Sequence, residues 1–164
     1  RFESRGLGDV YKRQPHSARN GSLTFMLGGP SSLLENWHPL FASMGSQIHH
    51  LGELGAGMSV KVLNNYVASS SVVTVRRVLD ACQALNVSPE KLLQIMSESS
   101  GGTWYGNQFH EIDWAREGYS AENTIGILEK DVKSFLKAVD AEPLPEDSLL
   151  LERLRRLKPF DPEG

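Results

Sequence analysis

The sequence predicts a mainly α-helical protein, a multi-helix domain opened by one long central helix and preceded by a short strand, helix, strand unit. Three observations carry that expectation. From Gly55 onward no stretch reads convincingly as a strand, and apolar residues recur at spacings of three and four. The run GAGMSVKVLNNYVASSSVVTV, residues 55–75, is apolar nearly all round and holds a single charged residue, Lys61. Before it, only SLTFMLGG and QIHHLG have the short apolar character of strands. The chain has 164 residues, 40% hydrophobic and 23% charged, which is globular composition with enough apolar matter for a core.

Each element follows in order. Residues 1–20, RFESRGLGDVYKRQPHSARN, are polar and aperiodic and read as a disordered or non-native leader. In SLTFMLGG, Leu23, Phe25 and Leu27 alternate with Thr24 and Met26, then a glycine pair ends the strand. PSSLLENWHPLFASMG places Leu33, Leu34, Trp37, Leu40 and Phe41 on one helical face, with Pro39 as a possible kink. QIHHLG closes the unit, so that residues 21–53 look like the end of a larger α/β sheet. Residues 54–164 are then expected to be all helical.

The long helix is expected from about Met58 to Leu85 and central to the bundle. It ends in the turn NVSPE, where Ser88 caps the next helix and Pro89 takes its first position. That helix carries Leu92, Leu93 and Met96 and stops by Gly101 and Gly102. A third helix is expected over Tyr105–Arg116. A fourth, NTIGILEKDVKSFLKAV, sets Ile125, Leu128, Val132, Phe135, Leu136 and Val139 in one stripe, and a last helix carries Leu149, Leu150, Leu154 and Leu157.

Charge and cysteine content narrow the function. A formal net charge of -3 gives no electrostatic case for nucleic acid or an anionic membrane as partner. Lys61, Asn64, Asn65 and Ser69 to Ser71 make the apolar run expensive to place across a bilayer. The single cysteine, Cys82, rules out an internal disulfide and fits a reducing compartment, so a cytoplasmic location is expected. The segment HEIDW lacks the second histidine of a zinc helix, His49 and His50 have no ligand pair nearby, and no metal is expected. GAG at 55–57 lacks the third glycine of a dinucleotide fingerprint, and Arg76 and Arg77 read as a solvated patch.

The lysine is the informative residue. Lys61 and Asn65 are four apart, so on a helix they share a face, continued by Ala68, Val72, Val75 and Leu79. Such a lysine either extends to solvent or sits in a cleft. In a cleft, shielding from water loosens a lysine's proton, so that it can serve as a base, and an asparagine beside it offers a donor and an acceptor to a substrate. Residue physics leaves both readings open.

SARNGSLTFMLGG, FASMGSQIHHLGELGAGMSVKVLNNY, SPEKLLQIMSESSGGTWY and IGILEKDVKSFLKAV together resemble the β-hydroxyacid dehydrogenase family, nearest its 3-hydroxyisobutyrate side, over residues 17–140. The most specific part is G-x-G-x-x-x-K-x-x-N-N. The resemblance implies the tail of an NAD(P)-binding Rossmann domain over 21–53, and the family's helical C-terminal domain over 54–164. It also implies that Lys61 is the catalytic base, that Asn65 binds the substrate, and that Lys130 of EKD, with Asp131 beside it, reaches the cofactor. The cofactor would be NAD or NADP and the substrate a small hydroxyacid. The full-length protein would form a homo-oligomer burying the central helix and Trp104. The glycine-rich fingerprint of the family is absent from these residues, so a fragment with little activity of its own is expected. Two rivals stand beside this reading: a non-catalytic helical dimerisation or interaction module, and an imine-reductase-like relative that needs no lysine base.

Overall fold

In the computed structural model, the structure describes residues 21, 23–140 and 142–161, so the leader expected over 1–20 lies outside the described residues. Among the described residues, two strands and six helices follow the predicted order: β1 (Thr24–Leu27), α1 (Ser31–Met44), β2 (Gln47–His50), α2 (Ala56–Leu85), α3 (Pro89–Ser97), α4 (Trp104–Asn107), α5 (Thr124–Val139) and α6 (Pro145–Arg155). The chain divides into two compact units whose boundary falls within α2, between Lys61 and Val62.

In the first unit, β1 and β2 pair in parallel, with Thr24 opposite Gln47 and Leu27 opposite His50. Parallel strands need a crossover, and α1 supplies it. The ladder runs on past the strands, where Leu51 N–H donates to the Leu27 carbonyl and Gly29 N–H to Gly52. Helix α1 continues through Pro39 and has no fully buried residue; Leu33, Trp37, Leu40 and Met44 all stand exposed. Gly57, in the first turn of α2, is buried against β1, where any Cβ would run into the Met26 carbonyl. Close backbone approach thus explains this glycine without a ligand.

The second unit has an apolar core. Val72, Val73, Val75 and Leu79 of α2 pack with Leu93 of α3, Tyr105, Phe109 and Ala115, with Ile125, Leu128 and Val132 of α5, and with Leu150 and Leu154 of α6. The expected stripe on α5 is therefore buried at its N-terminal end, while Phe135 and Leu136 are half-buried and Val139 is exposed. The cap at Ser88 lies where the sequence places it, accepting from Lys91 N–H with Pro89 at the helix start. The structure adds two more: Asn123 accepts from Gly126 N–H, and Asn86 in the left-handed region stops α2.

Three expectations are corrected. Helix α2 is not enclosed all round, since Leu63, Val67 and Val78 on its other side are exposed. The third helix does not span Tyr105–Arg116 but ends at Asn107. Gly106 and Asn107 are poor helix formers, and beyond them the chain runs in separate turns, with Ile112 N–H donating to the Gln108 carbonyl and Ala115 N–H to that of Ile112. Ala115 accepts from the Tyr105 hydroxyl and from Arg76, and Glu117 also accepts from Arg76.

The third concerns Arg76, which is no solvated residue. It is 2% exposed, donates to the carbonyls of Ala115, Glu117 and Lys158, and lies over the Phe160 ring. Position 76 is four residues after Val72 and three before Leu79, on the buried face, whereas Arg77 falls outside it and is exposed. The guanidinium clasps the tail after α6 to the turns after α4. Tyr119 N–H bonding to the Leu157 carbonyl and Phe160 N–H to Arg116 reinforce that clasp.

Candidate active site

Helix α2 positions two of the three predicted site residues. Lys61 is half-buried in its second turn, and Asn65 follows one turn later, also half-buried. The unbroken helix places the two side chains on one face. The structure adds a partner for the second. Asn65 Nδ2 donates to Asp131 Oδ2 of α5 at 3.1 Å, and Asp131 is only 9% exposed. Lys130, the third predicted residue, precedes Asp131 and is exposed, on the side of α5 away from the core stripe. A cation thus stands in solvent beside a buried carboxylate that holds the asparagine.

The surroundings of Asn65 are rigid. Tyr66, the next residue, donates its hydroxyl to Asp147 Oδ1 at 2.5 Å and packs on Phe135 with ring centroids 4.2 Å apart. Asp147 is 4% exposed, and it also accepts from Leu144 N–H at the start of α6. The hydrogen bond to Asp147, with burial and the charges of Asp147 and Glu146 behind it, pushes the Tyr66 hydroxyl up to about 12, so it stays a proton donor. Ser69, fully buried one turn beyond Asn65, donates to the Asn65 carbonyl at 2.8 Å. None of Asp147, Ser69 or the Tyr66 hydroxyl stood out in the sequence, since their partners lie far along the chain.

A second polar cluster, equally invisible in the sequence, surrounds Glu129. Its carboxylate accepts from Tyr119 at 2.5 Å, from Lys133 at 2.5 Å, and from both Nε and Nη2 of Arg155 at 3.1 and 2.7 Å. Burial pushes this carboxyl up, but the bonds from Lys133, Tyr119 and Arg155 outweigh it and bring it down to about 2. Four donor atoms, two of the three side chains that carry them cationic, tie this group into the fold. Among the described residues no three His, Cys, Asp or Glu side chains gather as a metal ion would require.

Comparison with known proteins places the chain in a family. Residues 55–149 match the family model described as the NAD-binding domain of NADP-dependent 3-hydroxyisobutyrate dehydrogenase. Residues 14–52 match that of the NAD binding domain of 6-phosphogluconate dehydrogenase. An NAD-dependent L-serine dehydrogenase of Pseudomonas aeruginosa is 39% identical over 148 residues, covering 85% of this chain and 50% of that protein. The mitochondrial 3-hydroxyisobutyrate dehydrogenase of Rattus norvegicus is 28% identical over 122 residues, covering 71% of this chain and 36% of that protein. The chain therefore spans half or less of the length of these curated relatives.

Solved structures share the fold. The 3-hydroxyisobutyrate dehydrogenase of Mycobacterium tuberculosis with L-serine superposes with a TM-score of 0.67 at 22% identity, over 87% of this chain and 54% of that one. Psf3 in complex with NADP+ and 2-OPP superposes with a TM-score of 0.68 at 16% identity, over 87% and 53%. With the first family model alone covering more than half of its residues, the chain belongs to the 3-hydroxyisobutyrate dehydrogenase family.

Proposed function

We propose that this chain is the substrate-handling part of a cytoplasmic NAD(P)-dependent dehydrogenase that oxidises a small 3-hydroxyacid, 3-hydroxyisobutyrate or a close analogue. The observation that carries the reading is the placement of Lys61 and Asn65 on one face of α2 in a member of this family. Lys61 Nζ takes the proton of the substrate hydroxyl as general base, a role worth about 10²–10⁴-fold in rate. Asn65 holds the substrate through its side-chain amide.

The residues present fit a nicotinamide dinucleotide at one end. Lys130 is an exposed cation beside the Asn65–Asp131 pair, suited to the anionic or amide groups of such a cofactor. No glycine-rich fingerprint occurs in the chain to cradle a pyrophosphate. When bound, the cofactor accepts hydride from the carbon that carries the hydroxyl. Lys130 is the residue of this chain that would hold it. We place the division between the cofactor-domain tail and the helical domain at 53/54.

Two further parts of the reading rest on less. The exposed Leu63 and Val67 of α2, with Trp104 at 54% exposure, support a homo-oligomer in the full-length protein. The 39% identity to an L-serine dehydrogenase supports L-serine as a second substrate candidate. Serine is itself a 3-hydroxyacid, differing at the carbon next to the carboxylate, so it would meet Lys61 and Asn65 in the same way. The test is an assay of the longer gene product that contains this chain, with NAD and NADP, against 3-hydroxyisobutyrate, L-serine and other short 3- and 2-hydroxyacids. The expected result is the highest kcat/KM on a 3-hydroxyacid. A folded protein that oxidises none of them would contradict the proposal.

A further inference from the structure

The loops that leave the carboxyl ends of β1 and β2 are tied together, and a histidine makes the tie. In an open sheet of parallel strands, the loops at this edge border the ligand crevice. His50, the last residue of β2, stands opposite Leu27 of β1. Its Nε2 lies 2.8 Å from the Gly29 carbonyl oxygen and 3.2 Å from that of Gly52. Both partners only accept, so Nε2 carries a proton and donates to both. Gly29 and Gly52 hold φ values of 140° and 100°, a region open mainly to glycine, and these two turned residues present their carbonyls to the ring.

The second loop leads straight into α2. Gly29 N–H donates to the Gly52 carbonyl at 2.8 Å, and Ala56 N–H donates back to Glu53. A Cβ on Gly28 would run into the Glu53 carbonyl, and one on Gly57 into that of Met26, so the start of the helix lies directly on β1. Lys61 comes one turn after Gly57 on the same face, and all of these residues lie in the first compact unit. We infer that His50 is a positioning residue for the reaction: by holding the loops at 28–29 and 52–55 together, it sets where the first turns of α2 carry Lys61 on the sheet. The inference rests on the dehydrogenase reading and deepens it, because it names what aims the base from the strand side. Lys61 makes an interaction of its own as well; His50 acts on the backbone that carries it.

The test compares His50→Leu with His50→Gln in the longer gene product, assayed on the preferred 3-hydroxyacid well below the melting temperature. A glutamine amide reaches as far as the imidazole Nε2 and can donate to the same carbonyls, whereas leucine has no donor. In His50→Leu we expect kcat to fall about tenfold or more, since a small displacement of a reacting group costs that much. KM should change little, because Asn65 lies outside the first unit, and His50→Gln should stay close to the unmutated protein. The bond from Gly29 N–H to Gly52 survives the change, which favours a folded variant. Should His50→Leu still not fold, His50→Asn, whose amide is one bond short of the carbonyls, takes its place with the same expectation. Hydrogen exchange should quicken over residues 51–56 in the variant while the α5 core keeps its protection. An unchanged kcat, a loss confined to KM, unchanged exchange over 51–56, or a His50→Gln enzyme as slow as His50→Leu would overturn the inference. An unmutated protein that oxidises no hydroxyacid would instead sink the dehydrogenase reading, and the exchange over 51–56 would then decide by itself whether His50 holds the loops.

Discussion

Glu129 and Asp131 stand two positions apart on α5, about 200° around the helix, and both are buried. Glu129 turns toward Arg155 of α6 and the Tyr119 hydroxyl, with Lys133 closing over it from one turn along its own helix. Asp131 turns to α2 and takes the Asn65 amide. The first carboxylate is surrounded by donors that complete one another, and two of them are cations. The second counts among its partners a neutral group that has hydrogen-bonding capacity to spare. The difference teaches where to look for chemistry in a buried polar cluster. A group whose bonds are all internal holds the fold, and a group whose partner still has a donor or acceptor to offer can serve a ligand.

That contrast breaks if the structural networks prove to control activity. The largest effect on stability is expected at Arg76, whose substitution by Met strips donors from the buried carbonyl of Ala115 and the partly buried ones of Glu117 and Lys158 at once. Against this stands relief from burying a cation whose Nε has no partner among the described residues. We expect Arg76→Met to lower stability in denaturant by about 3 kcal/mol. Amide exchange should quicken at Tyr119 and Phe160, whose N–H groups bond across the same clasp. Unchanged exchange there would show that the tail is held by something else.

A smaller effect, with a pH signature, is expected at Glu129. Its carboxyl is held down at about 2 in the folded protein, below the ordinary value of an unfolded glutamate. A carboxyl lowered by folding stabilises fully above its unfolded value, and that contribution fades as pH falls from about 4 toward 2. Glu129→Gln should therefore cost about 2 kcal/mol at neutral pH and little near pH 2, flattening the acid limb of the stability curve. Arg155 and Lys133 are half exposed and can return to water, which keeps the cost at that level. The folded variant should keep its kcat/KM, and an activity loss without a stability loss would collapse the distinction between the two carboxylates.

Much of the fold can be read from the residues because it is set by local rules. The strand, helix, strand unit, the capped start of α3 at Ser88 and Pro89, and the stripe of α5 each follow from neighbours within a few positions. The failures have the opposite cause. Tyr105, Phe109 and Ile112 have helical spacing, yet the helix ends at Asn107, and the turns that follow are tied down by Arg76 and the Tyr105 hydroxyl, contacts that no local pattern shows. Arg76 misleads by residue type, although its spacing from Val72 and Leu79 puts it on the buried face. At the candidate site, Lys61 and Asn65 pair from spacing alone and Lys130 joins them from family resemblance. The Asp131 bond to Asn65 spans 66 positions, and no local pattern can show it.

The central claim is that Lys61 is the base of a 3-hydroxyacid dehydrogenase, and the most direct measurement is the kcat of the longer gene product beside its Lys61→Ala variant. The account predicts a loss of about 10²–10⁴-fold in kcat, with thermal stability kept. A variant that turns over within a few-fold of the unmutated protein would contradict it and favour the non-catalytic helical module.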